Sequence, residues 1–180
     1  MKKHFSLSKK LPFTALFAAL CLIGTIVIAI PLPFGYFNVG DVFVLLAGWC
    51  LGPLYGPIAA GLGSALADVI SGFPLYTPAT FFIKAFDAFI AYMVWVFIKK
   101  VIKKKQFDFL PRFLSATLGE MMMAVGYFLY DRILFGFAAA VGSIFGNVTQ
   151  AVVCLILAPL VAAPLYHTNA VEKWLPHLYT

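Results

Sequence analysis

The chain has 180 residues, of which 63% are hydrophobic and 11% charged, with a mean hydropathy of +0.97. Soluble globular domains carry about 25% charged residues, so water is not the main solvent of this protein. The net charge of +6 does not point to nucleic acid either, because the basic residues gather beside apolar runs, at Lys2, Lys3, Lys9, Lys10 and at Lys99, Lys100, Lys103, Lys104, Lys105. Juxtamembrane lysines of this kind mark cytoplasmic loops and are drawn to anionic lipid.

In chain order, the first apolar run covers about 11–30. It follows the first lysine cluster and is longer than the apolar part of a signal peptide. No small-x-small cleavage site ends it, so it is expected to be a retained helix. Five further runs follow at about 39–52, 55–71, 79–98, 109–130 and 140–163. The expected fold is therefore an all-α membrane bundle of six transmembrane helices, forming a single domain over 1–180. The second run is the shortest, reaching about 20 Å, which requires tilt, irregularity or help from loop residues.

With four runs between them, both lysine clusters fall on one side of the membrane, and both termini are expected in the cytoplasm. The outer loops, about 31–38, 72–78 and 131–139, then hold one basic residue, Arg132. Small residues mark helix contacts, because lipid gives helices no hydrophobic reason to associate. Gly56, Ala60 and Ser64, flanked by Ala59, Gly63 and Ala67, form a smooth stripe on the third run, and Ala15 and Ala19 form another on the first.

The polar residues share one end of this bundle. Asn38 and Asp41 open the second run and Asp68 closes the third. Lys84 and Asp87 begin the fourth, Glu120 lies near the middle of the fifth with Tyr127 beyond it, and Asn147 and Gln150 occupy the outer half of the sixth. They fall roughly 4–16 Å below the outer surface. Ionisable groups at that depth need partners or a wet cavity, so these nine residues are the expected substrate-binding set, with Lys84 paired to Asp87, Asp41 or Asp68. Phe34, Tyr36, Phe37, Phe73 and Tyr76, in bent Pro/Gly-rich loops, are available to stack on a flat ring. Cys21, Cys50 and Cys154 lie in apolar runs without metal-ligand spacing and read as buried hydrophobes, and no metal or other cofactor is expected. No GxxxxGK[ST], HExxH or GxSxG motif occurs, which weighs against nucleotide hydrolysis and against an enzyme.

Taken in order, Thr14-Ala15 through Ala19, Tyr36-Phe37-Asn38-Val39-Gly40-Asp41, Gly52-Pro53 to Gly56-Pro57, Gly61-x-Gly63-Ser64-Ala65-x-Ala67-Asp68, Lys84, Gly126-Tyr127-Phe128-Leu129-Tyr130 and Gly146-Asn147 with Gln150 resemble the substrate-binding S components of energy-coupling factor (ECF) vitamin transporters. The resemblance implies a plasma-membrane subunit that captures a vitamin or precursor from outside. It also implies two kinds of partner, a transmembrane coupling protein and two cytoplasmic ATPases, with Ala15 and Ala19 matching the AxxxA face that docks on the coupling protein.

The likeness is strongest to the riboflavin, hydroxymethylpyrimidine and pyridoxine branch. The mixed charges favour a small hydroxylated heterocycle of the pyridoxine or hydroxymethylpyrimidine kind. The alternatives are a riboflavin-specific S component and a self-sufficient carrier or channel. The pattern departs at Tyr130-Asp131-Arg132, where a charge pair stands in place of one acid.

Overall fold

The computed structural model describes residues 7–31, 36–102 and 108–167. Phe34 and Lys103 to Lys105 lie outside the described residues, as does the side chain of Tyr36.

The described residues form five long apolar helices, not six: α1 (Leu7–Val27), α2 (Gly40–Ile70), α3 (Thr77–Val101), α4 (Phe109–Phe135) and α5 (Phe137–His167). The second and third apolar runs are one element. Its first arm, up to Leu51, is about 18 Å long, well short of a hydrocarbon core of about 30 Å. It passes into the second arm through a single non-helical residue, Gly52, at φ 80 and ψ −169. That conformation is open essentially to glycine alone, and Pro53 follows with no N–H to continue the first arm's ladder. The bend is sharp: a Cβ on Gly56 would stand 2.6 Å from the Ala47 carbonyl and 2.8 Å from Cα of Gly48. The two arms therefore lie against each other, and the small-residue stripe supplies the contact.

The stripe serves α1 as well. Gly63 meets Ala18 and Cys21, with the Cys21 Cβ only 2.7 Å from where its own Cβ would be. Ala59, Ala60 and Ala67 are fully buried. On the other side α2 packs on α3, where Gly48 lies against the Ala88 carbonyl and Gly61 against that of Phe81. The expected outer loop 131–139 is also shorter than the sequence suggested, because α4 runs to Phe135 and α5 starts at Phe137, joined by Gly136 at φ 86. Between α1 and α2 the chain makes a small antiparallel pair, β1 (Ile30–Pro31) with β2 (Tyr36–Phe37).

The fold-back gives the molecule two chemically distinct ends. At the Gly52 end, Lys10 of α1 lies 5.0 Å over the Tyr55 ring, and Lys99 bonds Asp108 at 3.0 Å. Arg112 bonds Asp108 at 2.5 Å and stacks over Trp95 and Trp49, 4.4 and 5.1 Å from their centres. Trp49 and Trp95 are fully buried there, with Leu45 and Met123 also sealed in the interior. The opposite end gathers the other acids, the amides of the described residues, and Tyr76, Tyr127 and Tyr130. Replacing Gly52 with alanine forces a side chain into the glycine-only region and should cost about 1–3 kcal/mol. Thermal unfolding of Gly52→Ala in detergent should accordingly show a lower midpoint than the parent, and an unchanged midpoint would mean the bend is not held by this residue.

Candidate ligand-binding site

Three helices are joined at the polar end by one buried chain of hydrogen bonds. Lys84 of α3 donates to Asp41 Oδ1 of α2 at 2.5 Å, and Gln150 Nε2 of α5 donates to Asp41 Oδ2 at 2.5 Å. Gln150 Oε1 in turn accepts from the backbone and side-chain amides of Asn38, at 3.0 and 2.9 Å, and Asn38 Oδ1 accepts from the Gly40 N–H at 2.9 Å. This last bond satisfies an N–H that the start of α2 would otherwise leave open. Of the three acids offered as partners for Lys84, the structure selects Asp41. The ammonium also lies 5.3 Å from the centre of the Tyr127 ring, whose hydroxyl donates to Thr80 at 3.0 Å.

Above this chain lies a cleft of about 670 Å³, open space at its mouth included. Asn38, Asp68, Lys84, Tyr127, Asn147 and Gln150 line it. Asp41, Asp87 and Glu120 do not. They are buried one or two helical turns deeper, Asp87 one turn past Lys84 and Glu120 two turns before Tyr127. Phe73 and Tyr76 join Tyr127 as aromatic lining.

Sequence reasoning missed the hydroxyls of Thr25, Ser64, Thr80 and Ser143, which also face the cleft. Thr80 had a signal, since residues 80, 84 and 87 share one face of a helix. Ser64, by its spacing from Gly56 and Ala60, reads in sequence as part of the packing stripe.

The charge pair at the end of α4 has separate fates. Asp131 is 4% exposed, lines the cleft and accepts a 2.7 Å bond from the Tyr76 hydroxyl. Arg132 lies over the Phe137 ring instead. Burial, and then the bond to Asp131, push the Tyr76 hydroxyl above its ordinary range, which keeps it a donor. Tyr130 bonds the Leu75 carbonyl at 2.5 Å, so two phenols fasten the 71–76 connection to α4. On α1, Ala15 and Ala19 are exposed and lie on one face.

A bundle of apolar helices long enough to cross a membrane, with a polar, aromatic-lined cleft at one end, has the form of a solute-binding membrane protein. Residues 6–167 match the family model of the "ECF-type riboflavin transporter, S component", and the chain belongs to that family. It is also 34% identical over 135 residues to an "Uncharacterized protein in gap 3'region" of Pyrococcus woesei, covering 74% of this chain and 85% of that one. The family is a transport class without catalysis, so the chain is not an enzyme. The match favours the riboflavin alternative over the pyridoxine or hydroxymethylpyrimidine expectation.

Breaking the buried pair from one side should be costly. Lys84→Met leaves Asp41 without its cation and should lose about 3–5 kcal/mol of stability, whereas adding Asp41→Asn should recover most of it. A double-mutant cycle on unfolding in detergent reads this directly, and a double change that costs the sum of the two single changes would deny the coupling.

Proposed function

We propose that this chain is a riboflavin-binding S component that takes the vitamin into the cleft from outside the cell. The observation that carries this reading is the lining itself, in a chain of this family: aromatic rings on one part of the wall and a dense set of amides, hydroxyls and one ammonium on another. A flat, neutral ring system bearing a hydroxylated side chain needs both. Phe73, Tyr76 and Tyr127 offer faces and edges to the ring. Asn38, Asn147, Gln150 and Lys84 offer donors to ring carbonyls, and Asp68 with the neighbouring hydroxyls offers acceptors to a polyol chain.

The Gly52 end faces the cytoplasm in this reading, and with it the start of α1 and the end of α5. Lys10 and Lys99 at that end support it through the positive-inside rule. Uptake is completed by a transmembrane coupling protein and two cytoplasmic ATPases, the partners with which S components of this family work. Ala15 and Ala19 are the docking face: they are exposed, small, and four residues apart, so a partner helix can approach closely.

The purified chain, without ATP, should quench flavin fluorescence on titration with riboflavin. Asn147→Leu should weaken binding by about 0.5–1.5 kcal/mol, and Lys84→Ala by about 1–3 kcal/mol. Displacement of a bound ligand by pyridoxine or hydroxymethylpyrimidine, with no response to riboflavin, would overturn the assignment. In cells carrying the partner proteins, Ala15→Trp and Ala19→Trp should leave binding intact and abolish uptake. Normal uptake in both variants would remove the docking face.

A further inference from the structure

Beneath the cleft, the described residues bring together more acids than cations. Asp41, Asp87 and Glu120 are 1%, 0% and 1% exposed, and Lys84 is the cation among them. Asp41 is fully engaged, by Lys84 on one oxygen and Gln150 on the other. Asp87 and Glu120 differ: among the described residues no donor reaches either oxygen of either carboxyl. Asp87 lies against Gly119, where the helix offers no free N–H.

The remaining titratable neighbours do not supply the missing charge. Cys21 of α1 lies within electrostatic range of Asp41, Asp87 and Lys84, and Cys154 of α5 is near Asp41 and Glu120. Tyr127 of α4 and Asp68 of α2 act from the cleft side. None of these is a cation. Fully ionised, the three acids and one lysine would leave two uncompensated negative charges at membrane depth, which a low-dielectric interior does not tolerate.

A metal ion answers this poorly. Asp41, Glu120 and Cys154 do present ligand atoms within 4.8 Å of one another. Both Asp41 oxygens are already taken by donors, however, and the Cys154 thiol points to the Asn38 carbonyl at 3.9 Å. Glu120 alone of the three makes no hydrogen bond, so a cation here would have to compete with Lys84 and Gln150 for Asp41.

We propose that Asp87 and Glu120 form a two-proton site under the ligand cleft, each carboxyl carrying its own proton in the state seen here. The floor of the cleft is then neutral overall, the Lys84–Asp41 pair being balanced, and this suits an uncharged ligand. Loss of either proton would set a carboxylate in competition with Asp41 for the Lys84 ammonium and pull that group off the cleft wall.

Infrared spectroscopy of the full chain in detergent at neutral pH, with no vitamin added, tests this independently of which vitamin the cleft takes. A protonated-carboxyl C=O band is expected, partly lost in Asp87→Asn and partly lost in Glu120→Gln, with thermal stability close to the parent in both because each amide is a neutral isostere. Should a variant fail to fold, labelling glutamate with carbon-13 in the parent decides for Glu120, since the chain's only other glutamate is Glu172. A band that shifts supports the site. A parent spectrum without a protonated-carboxyl band, or a stoichiometric metal ion found by elemental analysis and lost in the two variants, overturns it.

Discussion

The ion pair between Lys84 and Asp41 is the constraint around which the polar end is arranged. Its two side chains are 5% and 1% exposed, and neither could be held there alone, since a buried charge without a partner costs more than the bundle can spare. The pair is held by further bonds on the acid's side: Gln150 donates to the second Asp41 oxygen, and Asn38 donates to Gln150. One electrostatic requirement thereby fixes the start of α2, the first turns of α3 and the middle of α5 relative to one another. The cleft wall follows, because Asn38, Lys84 and Gln150 are at once links in this chain and lining of the cleft.

The bend at Gly52 follows from the same requirement. Asp41 opens α2 and Asp68 nearly ends it, and a straight helix would set them about 40 Å apart, at opposite faces of a membrane. Folding the element on itself brings both to one end, one below the cleft and the other on its wall. The glycine, alanine and serine positions of the second arm let the backbones approach closely enough for this to happen without a gap. A residue that looks like a local turn signal is thus what makes a shared acidic end possible.

Much of this was legible in the sequence, and the failures have physical causes. Apolar length marked out the apolar segments but not their number of helices, and rise per residue placed the acids, amides and Lys84 near a common end. Length could not reveal that 39–52 and 55–71 are two arms of one element, because Gly52 interrupts the helix by a single residue, whereas Gly-Pro in sequence looks the same whether it ends a helix or bends one. The 131–139 stretch misled in the same way, with Gly136 alone doing what a loop was expected to do. Hydroxyls such as Thr25 and Ser143 left no trace, since serine and threonine in an apolar helix equally bond their own backbone, as Ser143 does to the Ala140 carbonyl. Arg112, stacked on two tryptophans, was passed over because an arginine early in a helix reads as a surface charge.

That arginine cluster bears on how a bound solute leaves. Between the cleft and the lysine end stand Trp49, Trp95, Leu45 and Met123, all fully buried, capped by Arg112 and its bonds to Asp108. These are among the largest sealed side chains in the structure, and the two arms of α2 pack through backbone contact beside them. These side chains close the cleft off from the lysine end, and on its other side the cleft lining includes Phe73, Tyr76 and Asp131. Opening a path straight through the bundle would mean separating tryptophans and breaking the buried contacts of Arg112 with Asp108 and both indole rings. Loosening the mouth breaks two phenol hydrogen bonds, Tyr76 to Asp131 and Tyr130 to Leu75. The cheaper motion is therefore at the mouth, where two exposed or half-buried hydrogen bonds part, and not through the sealed interior.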